Sequence, residues 1–243
     1  TADARRLRSL SRELRQALSL AINRDILVRT VLGAGDLPGW SVVPPGMSGY
    51  RPSAMTQSVL QQEQREAEAR RLFRASGAGQ REPLRLELRY NTSGVHRRIA
   101  VAVAAMWKQV LGVNTELVNE EWKVFVNNRT MGVVTEVFRG GWIADYADPA
   151  SFLDLFISGS SLNSTFYGNT GFDELMAKAA AVGGAERMDL LQRAEARLMQ
   201  DMPVIPLYYY VSRHLVSPAV RGFENNVRDI HLSRYLELET SEP

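Results

Sequence analysis

The densest run of chemically capable residues is Arg139-Gly140-Gly141-Trp142-Ile143-Ala144-Asp145-Tyr146-Ala147-Asp148-Pro149. It brings together a cation, two glycines, a flat aromatic wall and two carboxylates. Glycine has no Cβ, so the main chain of a ligand can approach Gly140 and Gly141 closely. Asp145 is an anion suited to receive a cationic group, and a charge-assisted hydrogen bond of that kind is worth about 1.5–3 kcal/mol. The same carboxylate can instead tighten a turn with Asp148-Pro149, and residue types alone leave both uses open. Two further segments carry similar chemistry: Asn91 to His96, and Asn119-Glu120-Glu121-Trp122. Asp145 with Asp148, or Glu120 with Glu121, could pair for hydrolysis. Nothing in the sequence fixes their separation, however, and no Gly-x-Ser-x-Gly nucleophile motif is present. No catalytic activity is therefore expected.

The patterns around these segments show what must position them. Leu84, Leu86, Leu88 and Tyr90 alternate with Arg85, Glu87 and Arg89, as in a strand with one buried face. Capping groups at Asn91-Thr92-Ser93-Gly94 precede Ile99, Val103, Met106, Trp107, Val110 and Leu111 at helical spacing, with Gly112 at the C-cap position. Trp107 is expected in the core. Val113 to Val118 reads as a second strand, Glu120 to Arg129 as a short helix and Val133 to Phe138 as a third strand. Alternating strands and helices with short connections predict an α/β fold, a mainly parallel sheet flanked by helices. Ligands of open parallel sheets bind beyond the carboxyl ends of the strands, which is where all three segments fall.

Elsewhere, helix signals run from about Arg5 to Leu32, from Val59 to Ala75, from Asp173 to Ala181 and from Glu186 to Asp201. Between the first two lies a stretch rich in Pro and Gly, from Asp36 to Tyr50. Val204 to Val211 is an apolar, β-rich run in which Tyr208 to Tyr210 alternate between core and crevice. Of these, Tyr209 is expected to face ligand.

The chain has 243 residues, a net charge of +2, 45% hydrophobic and 23% charged content, and no cysteine. That composition is ordinary for a globular protein and excludes disulfides and thiolate chemistry. No apolar run reaches the roughly 18 residues of a membrane span. The arginines from Arg5 to Arg15 read as the solvated face of a helix, and no nucleic-acid partner is expected. His214 and His231 have no partner at metal-ligand spacing, so no metal or other cofactor is expected. The opening Thr1-Ala2-Asp3-Ala4-Arg5, with no initiator methionine and no apolar leader, reads as a cut end.

Six segments, in order and covering nearly the whole chain, carry a family resemblance. They are Leu14–Asp25; Gly35-Asp36-Leu37-Pro38; Tyr90-Asn91-Thr92-Ser93 with His96; Glu121-Trp122-Lys123; Gly141-Trp142 with Ala144-Asp145-Tyr146 and Pro149; and Pro206–Val211. Together they resemble the family 5 extracellular solute-binding proteins, closest to the oligopeptide-binding branch. The resemblance implies a periplasmic-binding-protein-like lobe of a two-lobed type II protein that closes on an extended peptide. It also implies delivery to the permease subunits of an ABC importer and a periplasmic location. Residues 1–243 would then form the second, C-terminal lobe, with residues 1–15 and 220–243 near the hinge and the N-terminal lobe missing.

By the same resemblance Asp145 would hold the peptide α-ammonium, and Arg139 and His96 the carboxylate. Gly141, Trp142 and Ile143 would pair with the peptide main chain, and Trp122 would line a side-chain pocket. Two features depart from the family pattern. The stretch Gly132 to Phe138 is one residue longer than expected, which loosens the register of Arg139, and Ile143 replaces a smaller residue. Dipeptides, muropeptides, nickel chelates and haem are alternative solutes, although Asp145 favours a free α-amine. A fragment with no ligand binding of its own is the remaining alternative.

Overall fold

The computed structural model describes residues 10–132, 136–226 and 228–239. Ser11 caps the first helix, α1 (Arg12–Leu20), through a 3.2 Å bond from Leu14 N to its hydroxyl. The helix turns Leu14, Ala17, Leu18 and Leu20 inward. The single helix expected from Arg5 to Leu32 is in fact broken after Ala21, and its first residues lie outside the described ones. The Asn23 side chain caps a new segment, α2 (Arg24–Ile26), which widens into a π-helical turn, Leu27–Leu32. The break has a physical cause in Arg24, whose side chain turns into the core and is fully buried.

The Arg24 guanidinium donates to Gly39 O at 2.7 Å, Pro206 O at 3.0 Å, Ser19 O at 2.9 Å and Ser19 Oγ at 2.8 Å, and lies 4.1 Å from the centre of the Trp40 ring. Burial lowers its pKa to about 9, and the carbonyl cage satisfies the charge that burial would otherwise penalise. The β-rich run after Val204 contributes only the two-residue strand β5 (Tyr208–Tyr209), which pairs antiparallel with β1 (Leu37–Pro38). The next residue, Gly39, packs against it so closely that a Cβ would fall 2.8 Å from Tyr208 N. Only glycine fits there.

After a 3₁₀ turn at Thr56–Val59, Leu60 is extended, and α3 (Gln62–Ala75) starts behind a capping box of Gln61 and Gln64. The helix expected from Val59 therefore begins three residues later. The predicted sheet follows: β2 (Arg85–Asn91), α4 (Gly94–Leu111), β3 (Asn114–Glu120), α5 (Trp122–Met131) and β4 (Val137–Phe138). All pairing is parallel in the order β3-β2-β4, with Leu88 opposite both Leu117 and Val137. The first part of the expected third strand, residues 133–135, lies outside the described residues. Leu86, Leu88 and Tyr90 are buried, as their alternation requires. Trp107 is in the core, and its Nε1 donates to Leu18 O at 2.9 Å, fastening α4 to α1.

A second apolar cluster lies under α6 (Ala150–Leu153), α7 (Thr170–Ala181) and α8 (Gly184–Asp201), and includes Val43, Leu153, Phe156, Phe172, Leu191 and Leu198. Glu195 of α8 is buried within it. It accepts from Val43 N, Tyr50 Oη and Ser53 N, each at 2.7 Å. Burial pushes its pKa up against the pull of these donors. A short antiparallel pair, β6 (Val220–Arg221) with β7 (Glu237–Leu238), closes the described chain. Among the described residues no helix is long and apolar enough to cross a membrane.

Candidate functional site

The carboxyl ends of β2, β3 and β4 deliver three loops to one edge of the sheet. Thr92 ties the first two together. Its N–H donates to Glu120 O at 2.8 Å, and its hydroxyl donates to Asn119 Oδ1 and Glu120 O at 3.0 Å each. Glu121 caps α5, accepting from Lys123 N at 2.7 Å, while Glu120 Oε1 accepts from Arg89 Nη1 at 2.6 Å and Asn128 Nδ2 at 2.7 Å. The cap leaves Trp122 on the outer face, 53% exposed, with its ring stacked on buried Phe125 at 6.2 Å. Phe125 in turn meets Phe138 of β4 edge-on at 5.8 Å.

Arg139 extends the β2–β4 ladder by one bond, donating from its N–H to Arg89 O at 2.8 Å, so its position is set by strand register. Its Nη2 donates to the hydroxyl of Tyr210. Two basic groups share its neighbourhood. Burial first, and the charge of Arg139 second, hold the pKa of His96 below 6.5 and that of Arg129 below the ordinary arginine value. The Arg129 guanidinium sits 5.7 Å over the Phe125 ring. Buried His96 Nδ1, Arg129 Nε and Trp142 Nε1 have no hydrogen-bond partner among the described residues. Buried polar atoms are rarely left that way, and His96 and Arg129, both within reach of the Arg139 charge, give this edge a basic character suited to an anion. A Cβ on Gly141 would lie 3.2 Å from Arg139 Nη2 and 3.4 Å from Tyr210 Oη, so a larger residue would crowd this arginine.

Further along the same loop the two aspartates separate. Asp148 takes a two-pronged bond from Arg187, at 2.6 and 2.9 Å, and accepts from Ala150 N at 2.8 Å. Burial opposes its ionisation, yet the Arg187 fork and the Ala150 N–H outweigh it and hold its pKa below 3.8. Asp145 is held only by its main chain: its N–H donates to Ser151 Oγ at 3.1 Å, and its carbonyl accepts from Arg228 Nη2 at 3.2 Å. Its carboxylate is exposed and has no partner among the described residues. Turn-tightening is thus done by Asp148, and Asp145 is left with a free anion. Neither proposed carboxylate pair has two disengaged members.

Gly141 and Ile143 are exposed, Ile143 at 82%. Tyr209 lies elsewhere in the network. It is half-buried, and its hydroxyl is within 3.0 Å of Ser41 N, 2.5 Å of Ser41 Oγ and 2.9 Å of Ser41 O, which locks β5 to the Pro/Gly-rich loop. The next residue, Tyr210, is the one that reaches Arg139. Arg129 and Tyr210 are members of this edge that residue patterns alone did not single out. A signal existed for Arg129, which stands one helical turn after Phe125.

Residues 10–164 match the family model described as bacterial extracellular solute-binding proteins, family 5 Middle. The chain belongs to this family. Among family 5 proteins it is 41% identical over 211 residues to the periplasmic oligopeptide-binding protein OppA of Salmonella typhimurium, a match covering 86% of this chain and 39% of that protein. The unliganded open form of the periplasmic murein tripeptide-binding protein MppA superposes with a TM-score of 0.87 at 36% identity, over 94% of this chain and 44% of that one. OppA of Haemophilus influenzae in complex with the peptide RPPGFSPFR superposes at 0.81 with 31% identity, over 94% and 45%. The chain therefore spans about two fifths of the length of the curated relatives it matches, and its fold is that of periplasmic binding proteins.

Proposed function

We propose that this chain is the peptide-anchoring lobe of a solute-binding protein that serves an ABC importer outside the cytoplasm. The observation that carries the reading is the division of labour along one loop. Asp145 offers an unengaged carboxylate, and Arg139, beside Arg129 and His96, offers an electropositive edge with unsatisfied nitrogens. A free peptide bears an ammonium, a carboxylate and an extended backbone whatever its sequence. Those shared groups supply affinity, while exposed Trp122 and Ile143 give tolerant apolar contact for side chains. Exposed Gly141 admits the peptide main chain, as in recognition by strand addition. Oligopeptide-binding relatives support this choice of solute, and the murein tripeptide-binding relative makes a short murein peptide the second reading.

Residues 1–243 form the second lobe in this proposal. A first lobe closes over the edge, and the transporter subunits meet the closed form. No chemical step is assigned. Glu120, Glu121 and Asp148 are all committed to structural bonds, and a lone disengaged carboxylate does not make a hydrolytic pair.

The test is calorimetric titration of the chain with a tripeptide, its N-acetylated form and its C-terminal amide. Asp145→Ala should weaken the free tripeptide about 10- to 100-fold, the loss of one charge-assisted hydrogen bond. N-acetylation should reproduce most of that loss on the unmodified chain and add little to the variant. Unchanged affinity in Asp145→Ala, or equal binding of the acetylated peptide, would remove the ammonium site.

A further inference from the structure

We propose that His214, Asp229 and His231 form a binding site for a divalent transition-metal ion, zinc above all, built from residues other than those of the peptide-binding edge. The three residues offer one ligand atom each, and these atoms lie within 4.8 Å of one another. The Nε2 atoms of His214 and His231 converge on Asp229 Oδ1, at 2.5 and 3.1 Å. Sequence spacing did not join them, because His214 stands on an irregular stretch fifteen residues before Asp229. The turn between them brings Asp229 to both histidines, a juxtaposition that sequence spacing does not show.

One side chain builds that turn. Asn226 Oδ1 accepts from Arg228 N at 3.2 Å and Ile230 N at 3.1 Å, and its Nδ2 donates to Ile230 O at 2.9 Å. Asp229 consequently sits at φ 55°, the left-handed region, which presents its carboxylate to both imidazoles. The rings are held as well. Phe223 stacks on His231 at 3.8 Å with planes 12° apart, and His214 meets both rings edge-on at 5.1 and 5.0 Å. The neighbouring arginines are directed elsewhere, Arg213 to Asp36 at 3.0 Å and Arg228 to the Asp145 carbonyl at 3.2 Å. Neither places its charge on Asp229.

The ligand set selects the ion. Two imidazoles and one carboxylate suit zinc, copper or nickel, whereas magnesium and calcium prefer oxygen cages. Zinc binds such atoms at about 2.0–2.2 Å, and tetrahedral donors then lie roughly 3.4 Å apart. The two histidine–aspartate separations must open by about 0.9 and 0.3 Å, and the remaining pair, within 4.8 Å, must close by up to about 1.4 Å. Three protein ligands leave a fourth position for water or a second ligand.

The 243-residue chain can be tested directly by zinc competition against a chromogenic chelator, with cobalt(II) as the spectroscopic substitute. One zinc per chain is expected, together with cobalt d–d absorption of a four- or five-coordinate site. His214→Gln and His231→Gln keep a hydrogen-bonding group opposite Asp229, so they separate loss of ligation from loss of folding, and circular dichroism checks the latter. Each should weaken zinc at least tenfold, and Asp229→Asn should do the same. The chain has only one other histidine, His96, and His96→Gln should leave zinc uptake unchanged. No uptake by the folded chain at 1 mM zinc, uptake unaffected by the His214 and His231 variants, or uptake lost only with His96 would each overturn the proposal.

Discussion

The junction around Arg24 and Glu195 and the edge around Arg139 and Asp145 use the same residue types to opposite ends. At the junction each charged group is answered. Arg24 is caged by four carbonyls and a hydroxyl, Glu195 receives three donors, and the Tyr209 hydroxyl is engaged by Ser41. At the edge, Asp145 keeps a free carboxylate, and His96, Arg129 and Trp142 keep buried nitrogens without partners. Satisfied polar groups hold a fold in one arrangement, whereas unsatisfied ones store a demand that a ligand can meet. Side-chain identity does not separate the two roles; the partner list does.

The contrast can be broken most forcefully at Glu195. Glu195→Ala strips the acceptor from two buried or half-buried N–H groups and a tyrosine hydroxyl. It should cost about 3 kcal/mol or more of unfolding free energy, read from the urea midpoint. A variant as stable as the parent would mean that the junction is not what holds the helical cluster to the Pro/Gly-rich loop.

Adjacent tyrosines give a finer test. Tyr209→Phe removes a hydroxyl engaged with Ser41 and should lower stability by about 1–2 kcal/mol, with peptide affinity nearly unchanged. Tyr210→Phe removes one hydroxyl that holds the Arg139 side chain and should leave stability within about 0.5 kcal/mol while altering affinity for peptides with a free carboxylate. Equal effects of the two on stability would erase the distinction between junction and edge.

The smallest effect expected is one of pH. The folded chain holds the pKa of His96 below 6.5, so the folded state binds its proton less readily than the unfolded state. The contribution of His96 to stability is therefore present above about pH 6.5 and declines as pH falls below it. A peptide carboxylate beside His96 favours the charged ring, so affinity should move the other way and rise as pH falls from 7 to 5.5. His96→Gln should flatten both slopes, measured by urea titration and calorimetry at the two pH values. Slopes of the same sign would place His96 away from the carboxylate.

Much of the sheet was legible because burial writes a period into sequence. The alternation of Leu86, Leu88 and Tyr90, the helical spacing through Trp107, and the αL glycine at Gly112 all lie within elements whose neighbours are local. The break at Asn23 was not legible, since it depends on where Arg24 finds its carbonyls, one of them 182 residues away. The run through Tyr208 read as a longer strand because its apolar character was visible but its short partner, Leu37–Pro38, was not. At the edge, residue types marked Asp145 and Arg139 as candidates. Only the pairing of Asp148 with Arg187 shows which aspartate is free, and the tyrosine that meets Arg139 follows from the register of β5.

The hydrogen bond from Arg24 to Pro206 joins residues 182 positions apart, and the sheet and the helical hairpin lie on the loop it closes. The first apolar cluster, whose residues surround these acceptors, could come apart only by leaving a buried guanidinium short of partners. The second cluster is joined to it through α8, which gives Met199 to one and Leu198 to the other, so the chain should lose its structure as a single cooperative unit.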